Sequence, residues 1–364
     1  MSASILGIGS VSALGSGVDS LREALHGSVR PRIERTSIST SSGKVELPVY
    51  RAHVEGFDRF VNRRAQRRLD KVTRMTLLAA FLALEDSSVD IADKRRVGVL
   101  VGTGFGPLTT TFDYLDTIID GGDNSASPTL FASSVHSALA SAVSIFTKFN
   151  GPCLTITNLE LVSTEVLSTA CAWLDRQIVD YVLVGLADES CPVLEYAARL
   201  RGAGRSDRIE PLRLDACSYL PAEGAVALLL GRPTEQEKYA SLLDVQSIPL
   251  SSGIDSDLAR NHRALLLAAN GEQKTGRSFG QLDLGSVKVA VHSPLYGSLP
   301  VGLGFDVALA ALALERGELS PCAIGTAPKR LDVLTEAMPL CNDDRLGCLE
   351  CAASRAGFVS IGRM

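Results

Sequence analysis

Apolar residues along this chain fall into two kinds of run. Six short ones are almost continuously apolar: 4–9 (SILGIG), 96–104 (RVGVLVGTG), 153–158 (CLTITN), 180–188 (DYVLVGLAD), 225–231 (AVALLLG) and 286–293 (SVKVAVHS). A strand with one wet face alternates apolar and polar positions, so unbroken runs predict strands covered on both faces. The second kind is longer and has helical spacing. It predicts helices over 17–27, 70–88, 133–149, 160–177 and 304–317, the first and last of them ending at glycine. The alternation of the two kinds predicts an α/β layered fold. No low-complexity linker interrupts it. The polar stretch 231–262, with its Pro, Ser and Gly residues, is the expected junction between two halves.

Composition narrows the picture. A chain of 364 residues makes two domains or one large α/β unit. Hydrophobic residues are 46% and charged ones 21%, which suits a large core or an extensive subunit interface. Aromatics are only 5%, so the apolar mass is Ala, Leu and Val. No run reaches ~18 uninterrupted apolar residues, and no membrane span is expected. The opening MSASILGIGSVSALG has no basic leader region or signal-type cleavage site, so a cytoplasmic protein is expected. The net charge is −5 with scattered Lys and Arg, which argues against a nucleic-acid partner. The densest basic patch, RRAQRRLDK at 63–71, reads as a solvated helix face or as a surface for an acidic partner.

Eight cysteines lie at 153, 171, 191, 217, 322, 341, 348 and 351, expected as free thiols. The cluster CNDDRLGCLEC (341–351) has three sulfurs and no nearby His, one ligand short of a structural zinc site. No metal and no cofactor is expected. The run VLSTACAWLD (166–175) places Cys171 in a setting that looks like that of a nucleophile. A reactive cysteine gains from a helix N-terminus, whose N–H groups and dipole stabilise the thiolate. Cys171 lies well inside its predicted helix, flanked by or sharing a face with Val166, Ala170, Trp173 and Leu174, and apolar surroundings raise a thiol pKa. It reads as an inert core residue.

Five motifs in order resemble the β-ketoacyl synthases of the thiolase fold. They are ILGIGSVSALGSGVDSLREALHGS, LDKVTRMTLLAAFLALEDSSVD with RRVGVLVGTGFGP, SPTLFASSVHSALASAVSIFTKFNGPCLTIT, DYVLVGLADES and AEGAVALLLGRP. The resemblance implies a layered α-β-α-β-α fold with two related halves, 1–235 and 236–364, the C-terminal one shortened. In that family the nucleophilic cysteine follows the Gly of a Gly-Pro pair by nine residues. Counted from Gly151 the position is Glu160, and Cys171 lies eleven residues further on. A carboxylate there cannot form an acyl-thioester. The family's two catalytic histidines lie at a His-Gly-Thr strand end and after a Ser-Val-Lys strand. Here the stretch 285–298 offers only His292, with Lys288, as vestiges, and His292 fits either position. The family's Gly-Phe-Gly-Gly loop also has no match in CAASRAGFVS (351–360).

Three degraded features together imply a non-catalytic partner, similar to the chain-length factor of type II polyketide synthases. Such a subunit pairs with an active ketosynthase and shapes the tunnel for a growing polyketide or polyene chain on an acyl carrier protein. The carrier is expected to be contacted chiefly by the partner. Carried over, the tunnel-shaping positions are Leu108, Thr111, Phe112 and Leu115, and Phe131, Val135 and Ile156 stand near the subunit interface. One more bulky group in a packed tunnel costs ~1–3 kcal/mol, enough to change product ratios. The alternatives are a malonyl-decarboxylating ketosynthase-like enzyme, a condensing enzyme using Cys171, and a purely structural partner.

Overall fold

The computed structural model describes residues 2–40, 43–233, 238–250, 259–321 and 328–364; Cys322 and parts of the stretch 231–262 lie outside them. The chain enters on β1 (Ala3–Ser12), followed by the short β2 (Gly15–Ser16) and α1 (Val18–Leu25). Gly15 and Gly17 both have φ in the left-handed range, which lets the turn close without a Cβ penalty. A hairpin missed by the hydrophobic pattern, β3 (Ile33–Thr40) and β4 (Gly43–Tyr50), comes next. It is followed by α2 (Arg63–Gln66) and by α3 (Lys71–Ser87), whose N-cap Asp70 accepts from the Thr73 N–H at 2.7 Å.

The predicted strands appear as β5 (Val97–Thr103), β6 (Cys153–Thr157), β7 (Tyr181–Asp188) and β8 (Gly224–Gly231). Between them run α4 (Leu108–Gly121), α5 (Pro128–Ser134), α6 (Ser137–Thr147), α7 (Val162–Asp175) and α8 (Pro192–Leu200). The helix expected as one piece over 133–149 is instead α5 and α6, bent by 93°. Val135 adopts extended backbone at the break, and the His136 ring then lies over Gly106, where a Cβ would collide with it.

The C-terminal part supplies β9 (Ser241–Pro249), β10 (Ala264–Leu267), α9 (Gln273–Phe279), β11 (Lys288–Ala290), α10 (Ser293–Tyr296) and α11 (Gly302–Arg316). It closes with β12 (Glu318–Leu319), β13 (Asp332–Val333), β14 (Met338–Pro339), β15 (Arg345–Cys351) and β16 (Arg355–Gly362). Among the described residues a mixed sheet runs β13-β11-β10-β15-β16-β9-β1-β8-β7-β5-β6, with β2 on β1.

The unbroken apolar runs of the central strands follow from the layering, whereas the run at 153–158, expected to be covered on both faces, forms the exposed edge strand β6. On β8, Val226, Leu228 and Leu230 enter one core while Ala225, Ala227 and Leu229 enter another. The first core is shared with α7 and α11, which lie between strands from both parts of the chain; the second is closed by α3 and α6. A third, with Phe279 of α9, covers the far side of β10 and β15. The result is a layered α-β-α-β-α arrangement. The cysteine cluster at 341–351 is mostly strand: Cys348 and Cys351, three apart on β15, point to opposite faces and pack in different cores. Among the described residues no single helix is long and apolar enough to cross a membrane.

Candidate functional site

The ends of several elements converge on one cavity of about 210 Å³. Glu160, from the loop between β6 and α7, lies on its wall. The segment after β10 contributes Asn270, Glu272 and Lys274, the end of β15 contributes Glu350 and Cys351, and Phe105 follows β5.

Local hydrogen bonds fix each piece. Asn158 Oδ1 accepts from the Glu160 N–H at 3.1 Å, and its Nδ2 donates to Glu165 at 2.9 Å, so the loop is stapled to the first turn of α7. Lys274 Nζ donates to Glu160 Oε1 at 2.6 Å. This pairing holds the Lys274 ammonium above its ordinary pKa. Across the cavity Arg201 lies 3.6 Å from Glu272. Asp188, fully enclosed, accepts from Thr103 Oγ1 (2.9 Å), Gly104 N–H (3.0 Å) and Phe105 N–H (2.8 Å), and so shapes the turn that carries Phe105. Burial pushes the Asp188 carboxyl up to about 6. Glu189 accepts from the Thr109 N–H at 2.8 Å and so fixes the start of α4.

Behind Glu160, Glu350 Oε1 accepts from Thr164 Oγ1 (2.6 Å) and from the Thr164 N–H (3.1 Å), capping α7. Burial raises the Glu350 carboxyl to about 8. The site therefore presents a half-exposed ion pair in front of an enclosed carboxyl whose charged form burial disfavours.

Two of the residues read from sequence stand elsewhere. His292 is buried, its Nε2 donating to the Ser320 carbonyl at 3.2 Å, and burial lowers its pKa to about 4. Lys288 pairs with Asp332 at 2.6 Å on the sheet edge. Neither lines the cavity, and among the described residues no histidine does. Cys171 is enclosed in the core around α7, and burial pushes its thiol up to about 12. Asn270, Lys274 and Glu350 were not found from sequence. The only local signal was a short apolar run, ALLLAA, ending in Asn-Gly.

The expected tunnel and interface residues form a separate surface. Leu108, Thr111, Phe112 and Leu115 lie on α4, where Thr110 alone among the helix residues is buried. Thr111 Oγ1 donates to the carbonyls of Pro107 (3.0 Å) and Ser134 (3.3 Å). Leu115 is 41% exposed, Ile119 76%, Phe131 54% and Ile145 71%. Val135 is exposed beside them, and Ile156 is half-buried on β6, which ends the sheet.

This fold, with a cavity at the start of a buried central helix, is that of a thiolase-type ketosynthase. The chain belongs to the β-ketoacyl synthase family: the profile described as "Beta-ketoacyl synthase, N-terminal domain" matches residues 3–236. Over 193 residues it is 26% identical to the chloroplastic 3-oxoacyl-acyl-carrier-protein synthase I of Arabidopsis thaliana, covering 50% of this chain and 39% of that protein. Among solved structures it superposes on the ishigamide ketosynthase/chain length factor with a TM-score of 0.85, 17% identity, and coverage of 100% of this chain and 99% of that one. It also matches the ketosynthase ApeO in complex with its chain length factor ApeC from Xenorhabdus doucetiae (TM-score 0.77, 17% identity, coverage 100% and 98%). At these identities the structural likeness is one of fold.

Proposed function

We propose that this chain is a chain-length-factor-type subunit, which pairs with a catalytic ketosynthase and lines the tunnel for a growing polyketide or polyene chain. The observation that carries the reading is Glu160. Counted from Gly151 it stands where the family has its nucleophile, and its carboxylate lies in the cavity against Lys274 at 2.6 Å. A carboxylate held by an ammonium is a poor acyl acceptor. The thiol that resembles a nucleophile, Cys171, is enclosed and protonated at neutral pH. Asn270, followed by Gly271, lines the same cavity three residues beyond the end of β10, which supports reading it in place of the family's His-Gly pair, with an amide for the imidazole.

The partner is inferred from surface chemistry. The helix α4 carries Phe112, Leu115 and Ile119 with little of it covered, beside Phe131 and the edge strand β6. Exposed apolar faces joined to an unpaired strand edge favour a permanent protein partner. A ketosynthase with its chain length factor is among the structural neighbours, which supports this choice of partner. The exposed arginines Arg63, Arg64, Arg67 and Arg68 offer a surface for part of an acidic carrier protein.

The test is intact mass after incubation with acyl- and malonyl-loaded carrier protein, alone and with a ketosynthase partner. The expected result is no adduct and no CO2 from the chain alone. With the partner, Thr111→Trp shortens the product and Phe112→Ala lengthens it. An acyl adduct lost in Cys171→Ala, or a product length indifferent to both α4 changes, overturns the reading.

A further inference from the structure

Two ion pairs lie among the exposed residues that line the cavity, and both involve the segment that follows β10. Lys274 reaches Glu160 at 2.6 Å, and Glu272 faces Arg201 at 3.6 Å. The backbone of this segment is anchored on both sides. The Ser218 N–H donates to the Gly271 carbonyl at 2.8 Å, and Gly276 packs so closely on the Leu214 backbone that a Cβ would not fit. The four charged side chains are all at least one-third exposed, while Glu350 and Cys351 behind them are at most 5% exposed. Exposed pairs of this kind are individually weak and screened by salt. Breaking them requires side-chain rotation alone, with no movement of the anchored backbone.

We propose that Glu160–Lys274 and Arg201–Glu272 form an electrostatic latch that closes this cavity, so that access to Glu350 and Cys351 is set by salt and by the charges at 160 and 274. The latch leaves both cations already satisfied by the chain's own carboxylates, which keeps an acyl group from settling in the cavity without displacing them. The proposal deepens the reading above, on which it rests for what the latch keeps out.

Cys351 is the reporter, since the residue lines the cavity and is only 5% exposed. The full chain is treated with iodoacetamide, and the rate at Cys351 is read by peptide mass spectrometry, with the enclosed Cys171 as the reference for global opening. A gate predicts that Glu160→Gln and Lys274→Gln both speed the reaction about five-fold, the scale of one exposed ion pair. Salt at about 1 M speeds the wild type, and speeds Lys274→Gln less, because only Arg201–Glu272 is left there to be screened. The swapped pair Glu160→Lys/Lys274→Glu reacts slowly again. A purely local field effect gives opposite signs, because losing a carboxylate promotes the thiolate and losing an ammonium suppresses it. Opposite signs, or no change in either variant, overturn the latch. The readout concerns access only, so it can fail while partner-dependent control of product length stands.

Discussion

Glu350 and Thr164 are 186 residues apart, yet the Glu350 carboxyl takes hydrogen bonds from both the backbone N–H and the side-chain hydroxyl of Thr164. This contact ties the last hairpin of the chain to the start of the helix behind Glu160. A buried donor left without its acceptor costs ~1–3 kcal/mol. Glu350→Ala leaves two donors unpaired and should lower stability by roughly that amount or somewhat more. Glu350→Gln keeps an acceptor oxygen and should cost less than half as much. Chemical denaturation of the three proteins checks the order.

Gly357 is opposite Glu350 across the β15–β16 ladder, and a Cβ there would run into Thr164 Oγ1. The glycine is therefore what lets Thr164 reach the carboxyl. Gly357→Ala should cost ~1–3 kcal/mol through overpacking. In Thr164→Ala the nearest obstruction, Oγ1, is gone while the Cβ at 2.9 Å remains, so the same glycine substitution should cost less. A double-mutant cycle should show this as clear non-additivity, and additive free energies would count against the contact.

Burial raises Asp306 to about 8, with the Tyr296 hydroxyl opposing the shift and Glu350 adding to it, and raises Glu350 to about 8 as well. An unfolded carboxyl ionises near its ordinary value, so between that value and 8 the folded state binds more protons. Stability from these groups is full in acid and is lost as pH rises to about 8. His292, lowered to about 4 from 6.5, acts the other way but only below pH 6.5. The Tm should therefore fall from pH 6.5 to about 8.5, and Asp306→Asn should flatten that fall. Thermal melts across this window decide it; an unchanged slope in Asp306→Asn would mean the group is ionised in the fold.

How far the chain could be read in advance varies by element. The runs at 4–9, 96–104, 180–188 and 225–231 were legible because both faces of those strands are covered, which leaves no polar position to blur them. The four-residue β10, inside RALLLAAN, is too short and too rich in helix formers to be told from a helix by its pattern. The strand β15 was hidden by its cysteines, which draw attention to metal chemistry although the pleat sends Cys348 and Cys351 to opposite faces. The site shows the same division. Glu160 could be located by counting from Gly151 and from the strand at 180–185, but its partner Lys274 is 114 residues away in sequence. Only the sheet order, which brings β10 near the start of α7, makes them neighbours.

The surface around α4 gives the last prediction. Leu115, Ile119 and Leu154 are 41%, 76% and 43% exposed, so removing them takes little from the core of this chain. Surface substitutions away from special contacts change stability within about 0.5 kcal/mol, and Ile119→Asp and Leu154→Asp should leave the melting of the isolated chain nearly unchanged. The same changes would place a carboxylate in the centre of an apolar interface, where an unpaired buried charge costs several kcal/mol. Co-purification with a ketosynthase partner should therefore drop by more than ten-fold for either variant. Glu23→Ala, an exposed change on α1, is the control and should leave pairing intact. Unchanged pairing in both aspartate variants would mean that the apolar face of α4 and the edge of β6 are not where the partner sits.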